Sequence, residues 1–378
     1  MANILLTGGR APVTLELARV FHRAGHTVFM AESLRGHLSQ PSAAIKANFL
    51  VPAPRYERPA FISALKKIIE ENQIDLLIPT CEEIFHIALG RDELPCEVFA
   101  EPIEKLNGLH NKWKFAVNAA ENGLSVPESM LVTSMDMLFQ AYAHWKELVL
   151  KPAYSRFASR TMILPPLRSV SSTLRLHSST PWVAQRFIKG SEFCTYSVCH
   201  NGHITAHAAY RAGYTAGRGA AIVFQPVQHL ASFQWVKTFV EKNHITGQVA
   251  FDFIQSVDGP IYALECNPRA TSGAHLLASH PKFADAFLNP DMDCITPADG
   301  GSSMLALAML VYGRKGGFRQ WLKTFLASRD VILDFRDPLP FLLQFRSLFS
   351  YLVLAREKDI SPLEATTYDI EWNGEEAP

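Results

Sequence analysis

The segment "YALECNPRATSG", residues 262–273, sets Glu265 and Asn267 two residues apart just before a proline. In a strand, residues two apart share a face. The preceding run "AFDFIQSVDGPIYALECNP" carries the Asp-Gly signal of a tight hairpin, which brings Asp252 level with Glu265 and Asn267. Phe251 and Phe253 then face away from Asp252, and Leu264 and Cys266 share an apolar face opposite Glu265 and Asn267. Two carboxylates and an amide oxygen converge at one end of a sheet. Carboxylates that face each other out of water repel and need a cation. Such oxygens suit magnesium, which takes one or two carboxylates and completes its shell with phosphate oxygens and water. A surface hairpin with solvated polar residues fits the same spacing.

Phosphates would need cations. In "VLKPAYSRFASRT", Lys151 ends an apolar strand before Pro152, and Ser155, Arg156, Ser159 and Arg160 follow in a short loop. Lys112 begins a helix upstream. Each lysine alone reads equally as a solvated charge. Between these groups, "VAQRFIKGSEF" offers an extended backbone for the edge of a base. Phe187 and Ile188 are its apolar walls, and Glu192 could take ribose hydroxyls; alone, Glu192 reads as a strand-edge charge. The first turn, "TGGRAP", lacks the G-x-G-x-x-G spacing. It reads as an anion-binding loop at a helix N-terminus or, more simply, as a tight turn. In "IPTCEE", Glu82 and Glu83 follow a strand end, where open α/β sheets bind ligands. Capping the next helix is an equal reading.

The elements that must carry these residues change character along the chain. The first hundred residues alternate strand, helix, strand, helix, strand, which argues for a Rossmann-like layer with a parallel sheet. A helix from about Lys112 to Glu121 and an extended "SVPES" lead into short alternating runs, with hairpin signals at "CHNGHI" and "QSVDGPI". That region is antiparallel sheet. From about residue 291, "SSMLALAMLVYG", "GFRQWLKTFLAS" and the apolar run after Pro340 read as helices. The last of these is a membrane-surface helix, a dimer interface or, most simply, a packed cap, with Gln344, Arg346 and Ser350 interrupting its apolar face. The acidic "TTYDIEWNGEE" is expected to be exposed at its end.

The totals set bounds. With 378 residues, 48% hydrophobic and 19% charged, the chain is globular, of about two or three domains. Thirty-six Lys plus Arg balance 36 Asp plus Glu, so no basic footprint for nucleic acid exists. Six scattered cysteines without a C-x-x-C pair argue against zinc and for reduced thiols in the cytoplasm. No apolar run reaches the length of an integral membrane segment, and no signal peptide is visible.

Taken in order, these pieces resemble the ATP-grasp superfamily, over roughly residues 1–290. "NKWKF…AENGLSVPES" is similar to the family's linker, with Lys112 in the place of its phosphate-contacting lysine. "LVLKP" resembles the strand of the second ATP-contacting lysine, here Lys151, with Ser155 and Arg156 following in the loop. "QRFIKGSEF" is similar to the hinge, which implies that Gln185, Arg186, Phe187 and Ile188 flank adenine and Glu192 holds the ribose. "FDFI…YALECNPRA" resembles the metal-binding signature, implying Asp252, Glu265 and Asn267 as ligands of two Mg2+ ions, or Mn2+. The "NPR" tripeptide is nearest the carbamoyl-phosphate synthase and biotin carboxylase branch and puts Arg269 near the reacting phosphoryl group. Arg211 and Arg218 lie where the family carries a substrate-facing arginine. The loop "AYSRFASRT" departs from the family in having no glycine.

The resemblance implies a preATP-grasp domain over residues 1–100 and an ATP-grasp domain over 101–290, its linker and lid to about 184 and its hinge and metal-binding part from 185. A mainly helical extension occupies 291–378. It also implies an ATP- and Mg2+-dependent ligase, in which a carboxylate becomes an acyl phosphate and an amine, or less simply a thiol, displaces phosphate. Small-molecule carboxylate and amine substrates are the expected partners, with a homodimer left open. The alternative is an ATP-binding regulatory protein on the same fold, favoured by the glycine-free loop. A nicotinamide oxidoreductase lacks its glycine fingerprint here.

Overall fold

A computed structural model of the 378-residue chain describes all residues except 156–159, 175, 178–179, 217–219, 299, 314–316 and 375–378. Five parallel strands come first, in the order Ala47–Leu50, Thr27–Glu32, Asn3–Thr7, Leu76–Ile78, Glu97–Val98. Along Asn3–Thr7, Ile4 and Leu6 enter the core shared with helix Pro12–Arg23, whereas Leu5 enters the core shared with helix Arg58–Asn72. A strand buried on both faces reads as a continuous apolar run, as "ILL" does. The strand order reverses between Asn3–Thr7 and Leu76–Ile78, which opens a crevice at their carboxyl ends.

That crevice is pinned. Gly8 has φ +78°, and a Cβ there would lie 2.6 Å from Thr80 Oγ1, so glycine is required for the two strand ends to approach. Thr80 Oγ1 donates to the Thr7 carbonyl at 2.7 Å, and Glu83 accepts from Thr7 Oγ1 at 2.7 Å and from the Thr80 and Cys81 amides. Glu83 is thus a structural brace. Arg10 is equally committed: its guanidinium binds Glu32 and Asp369, and its amide donates to Glu32 Oε2 at 3.0 Å. Burial would lower the Arg10 pKa, but the two carboxylates raise it well above its ordinary value. The "TGGRAP" turn is a tight turn whose cation is already paired.

A four-stranded antiparallel sheet follows, ordered Ser129–Val132, Trp182–Arg186, Leu148–Pro152, Met162–Ile163. Helix Met135–His144 packs on it through Leu138 and Ala141. The third sheet has seven strands: Ile261–Asn267, Gly247–Ser256, Gly190–His200, His203–Ala216, Ala220–Val227, Ser302–Met304, Ser328–Asp330. Its pairs are antiparallel except the last. The α/β architecture, parallel layer first and antiparallel sheets after, is the one expected.

Beyond residue 291 the chain is mainly helical with two short strands, Ser302–Met304 and Ser328–Asp330, in stretches read from the sequence as helix. Ser302–Met304 is a strand because the edge of Ala220–Val227 offers it a partner, Ser303 opposite Phe224. Helices Ala306–Tyr312, Phe318–Ala327 and Leu339–Lys358 follow. The tail returns to the first layer: Asp369 binds Arg10, and Trp372, fully buried, stacks on Phe85 and donates from Nε1 to Asn107 Oδ1 at 2.6 Å. The acidic tail is therefore anchored as far as Trp372.

A second buried ion group joins the layers. Glu16, on Pro12–Arg23, accepts from His275 Nδ1 at 3.0 Å and from Arg329 at 3.2 and 3.1 Å. Burial pushes its carboxyl up, but His275 and Arg329 outweigh this and hold it at about 2.

Two outcomes test these ties. Arg10→Ala strands the buried Glu32 carboxylate and should cost about 3–5 kcal/mol, read as a lower urea midpoint; an unshifted midpoint would refute the tie. For Glu16 the folded pKa lies below the unfolded one, so its stabilisation is complete above about pH 4.3 and is lost as pH falls toward 2, roughly 3 kcal/mol in all. Glu16→Gln should flatten that acid limb of the stability–pH profile, and an unchanged limb would contradict the assignment.

Candidate active site

The crevice beside Gly8 widens into a cleft of about 790 Å³, lined from all three sheets. Two lysines enter it from different elements. Asn111 caps helix Lys112–Glu121 by accepting from the Trp113 and Lys114 amides, both at 3.0 Å. This cap sets Lys112 at the first helical position. Its Nζ donates to the Ser155 carbonyl at 3.1 Å and lies 3.2 Å from Glu265 Oε2. Lys151 ends strand Leu148–Pro152, buried like Lys112. Its Nζ donates to the Leu264 carbonyl at 2.9 Å.

That carbonyl is free to accept because the hairpin is bulged. Asp252 stands opposite Glu265, but the next pair is Phe253 with Ala263, so Leu264 is an extra residue. The expected face assignment changes accordingly. Ala263 and Cys266 enter the core, while Leu264 lines the cleft beside Glu265 and Asn267. The bulge re-aims one side chain and presents its carbonyl to Lys151.

The four charges are unequal. Burial and the Glu265 charge push the Asp252 carboxyl up to about 7. Burial acts on Glu265 too, but Lys112 and Lys151 hold it well below the usual carboxylate range. Burial lowers Lys151 to about 8, against the pull of Glu265. Two opposed carboxyl groups, one of which resists ionisation, are short of a cation, and this is the feature that fits a divalent ion. Among the described residues no three His, Cys, Asp or Glu side chains converge on a metal site. The donor set is a carboxylate pair plus the Asn267 amide, which suits Mg2+ shared with phosphate oxygens.

Arg269 follows the strand. Its NH2 group donates to Asn267 Oδ1 at 3.3 Å and lies 3.8 Å from Glu82 Oε1, and its buried Nε makes no hydrogen bond among the described residues. Glu82 lines the cleft at the N-cap of helix Glu83–Leu89 and accepts from the Trp372 amide at 3.1 Å. Glu82 therefore occupies the N-cap position without capping: its side chain makes no hydrogen bond to the helix's own first amides and turns to Trp372 and Arg269 instead. Gln185 and Arg186 end strand Trp182–Arg186, and Phe187 and Ile188 cross from the four-stranded to the seven-stranded sheet; all four line the cleft. Gln185 Nε2 donates to Ser129 Oγ at 3.2 Å, and Arg186 lies 3.6 Å from Glu128. Glu192, opposite Ile254, lines the same wall.

The structure thus brings together Lys112, Lys151, Gln185, Arg186, Phe187, Ile188, Glu192, Asp252, Glu265, Asn267 and Arg269. Ser155 takes part through its backbone carbonyl. Arg211 does not join them. Tyr210 and Ala212 line the cleft, so strand alternation turns Arg211 to the opposite, exposed side. Arg156 and Arg218 lie outside the described residues, as does the middle of the glycine-free loop. His275 was missed: it lines the cleft with its Nδ1 held by Glu16, a partner 259 positions away that no local pattern announces. Leu305, Ala308, Val311, Ile332 and Leu348 add apolar lining to the same cleft.

No family profile matches the sequence. Over 166 residues the chain is 24% identical to the uncharacterized protein MJ0776 of Methanocaldococcus jannaschii, a match covering 44% of this chain and 42% of that protein. The chain therefore matches less than half the length of that relative. Similar solved structures cover more. The ADP complex of N5-carboxyaminoimidazole synthetase from Staphylococcus aureus has a TM-score of 0.65 at 12% identity, covering 82% of this chain and 83% of that one. Biotin carboxylase from Campylobacter jejuni has a TM-score of 0.60 at 12% identity, covering 76% and 71%. The L-amino acid ligase of Bacillus licheniformis has a TM-score of 0.56 at 17% identity, covering 74% and 70%. At these identities the likeness is one of fold, and together with the sheet order and the hairpin it places this chain in the ATP-grasp fold.

Proposed function

We propose that this chain is an ATP-dependent ligase that activates a carboxylate as an acyl phosphate and joins it to an amine, forming a C–N bond. The observation that carries this reading is the cross-strand pair Asp252 and Glu265, met in one cleft by two buried lysines from two other elements. Solved structures of the same fold include an ADP complex and an amino acid ligase, which supports the reading.

In this reading Asp252, Glu265 and Asn267 hold Mg2+, or Mn2+, as two ions shared with the nucleotide. A metal held by these three residues would supply positive charge to offset that of the phosphates. Phe187 and Ile188 wall the adenine, with the backbone from Gln185 to Ile188 along its edge, and Glu192 takes the ribose. Lys112 and Lys151 are drawn to the phosphates. Each now spends its charge on Glu265 or a carbonyl, so arriving phosphate oxygens replace partners already set at hydrogen-bond range. Arg269 has a buried Nε to offer the transferred group.

The γ-phosphoryl group passes to the substrate carboxylate and ADP leaves. The amine then attacks the acyl carbon, phosphate leaves, and the amine loses a proton. We assign that proton to His275, whose other nitrogen is held by the Glu16 carboxylate. The carboxylate-to-imidazole bond orients the ring.

Calorimetry with ATP should show binding that requires Mg2+, and phosphate release should appear on screening acids with amines. Glu265→Gln should lose turnover entirely while circular dichroism stays native; full activity in that variant would sink the metal assignment. ATP binding without phosphate release for any acid and amine would favour the regulatory alternative. His275→Ala should lower kcat by about 10²–10³-fold with the KM for ATP little changed, and an unaltered kcat would remove His275 from the reaction.

A further inference from the structure

Helix Leu339–Lys358 is built inside out. Its buried residues are Pro340, Gln344, Ser347 and Ala355, small or polar. Ser347 Oγ donates to the Gly36 carbonyl at 2.8 Å, and Tyr351 donates to the Arg10 carbonyl at 3.4 Å. Phe341 packs against the core, but most of the helix's large apolar residues point the other way: Leu342 is 62% exposed, Phe345 60% and Phe349 67%. A helix docked on a protein core and bathed in water shows the reverse pattern.

The same surface continues on two more helices. In Ala306–Tyr312, Leu310, Val311 and Tyr312 are each more than half exposed. Helix Phe318–Ala327 is bound to it by Trp321 Nε1, which donates to the Met309 carbonyl at 3.2 Å. That helix buries Thr324 and leaves Phe318 71% and Leu326 75% exposed. Val311, Tyr312 and Leu348 line the cleft and reach solvent, so helices Ala306–Tyr312 and Leu339–Lys358 flank its mouth, with Phe318–Ala327 packed on the first of them. No helix among the described residues is long and apolar enough to cross a membrane.

Charge identifies the occupant. The sequence from 301 to 329 contains no Asp or Glu, and neither does 338–356. Arg319, Lys323, Arg346 and Arg356 are the exposed charges on these helices before Glu357. A two-fold partner would set the same cations against each other. Anionic lipid headgroups complement them, and aromatic and leucine side chains beside basic ones are the makings of an interfacial helix surface.

We propose that these three helices form a docking face for an anionic lipid bilayer, with the mouth of the cleft opening on that face. The proposal does not depend on the ligase reading. It is tested by flotation of the full chain with vesicles of phosphatidylcholine alone and of phosphatidylcholine mixed with phosphatidylglycerol. The wild type should float with the mixed vesicles and be released by high salt. Phe345→Ser and Phe349→Ser, neither of which lines the cleft, should each weaken partitioning on the order of tenfold, with ATP calorimetry and melting temperature as controls for the fold. Absence of the wild type from the floated fraction would overturn the proposal. So would a dimer, seen by light scattering, that the two variants dissociate while vesicle binding is absent.

Discussion

Glu265 pairs with the buried Lys112 and lies next to the buried Lys151, whose Nζ binds the adjacent Leu264 carbonyl, where a helix and two sheets meet. Lys112 comes from the linker helix, Lys151 from the four-stranded sheet and the carboxylate from the seven-stranded sheet. Removing a charge from water is costly unless partners compensate, and here each partner belongs to a different layer. The layers can therefore keep their charges dry only in one relative arrangement. The arrangement is also incomplete by design of its charges. Asp252, opposite Glu265, is pushed toward its protonated form, so the corner accommodates one more cation on the carboxylate side and more anion on the lysine side. In the proposed ligase reading, a metal–polyphosphate pair would bring both at once.

The first layer keeps its charges for itself. Arg10 stands at the switch point, where such sheets bind ligands, yet it is saturated by Glu32 and Asp369. Glu83 is spent on the strand ends. Of this layer's acids, Glu82 lines the cleft, while the Arg10 carbonyl is taken by Tyr351 of the C-terminal helix. The returning tail, through Asp369 and Trp372, completes this layer, so residues nearly 360 positions apart in sequence are joined in one ion group.

Much of this was legible in the sequence, for physical reasons. Period-two spacing put Asp252, Glu265 and Asn267 on one face, and a lysine directly after "LVL" had to leave a buried strand at its end. What spacing could not show was the bulge. It adds one residue without any glycine or proline to mark it, moves Leu264 to the cleft and makes the Lys151 contact possible. The expectation for Arg211 rests on its place in the family resemblance, which strand parity could not test. "HITAHAAYRAGYTA" has small and polar residues on both faces, and nothing local says which one meets the cleft. The Glu16–His275 contact was beyond reach because it depends on how two layers pack.

The long C-terminal helix shows why its apolar run was ambiguous. The surface it covers contains the carbonyls of Arg10 and Gly36, and buried carbonyls need donors. Hydroxyls must therefore face inward, which accounts for Ser347 and Tyr351. Nothing about that docking requires Leu or Phe on the far side; Lys, Glu or Gln there would hold the helix as well and keep it wetted. The outward Leu342, Phe345 and Phe349 are thus unconnected with the fold of this chain. The proposed bilayer surface would account for them from outside the fold.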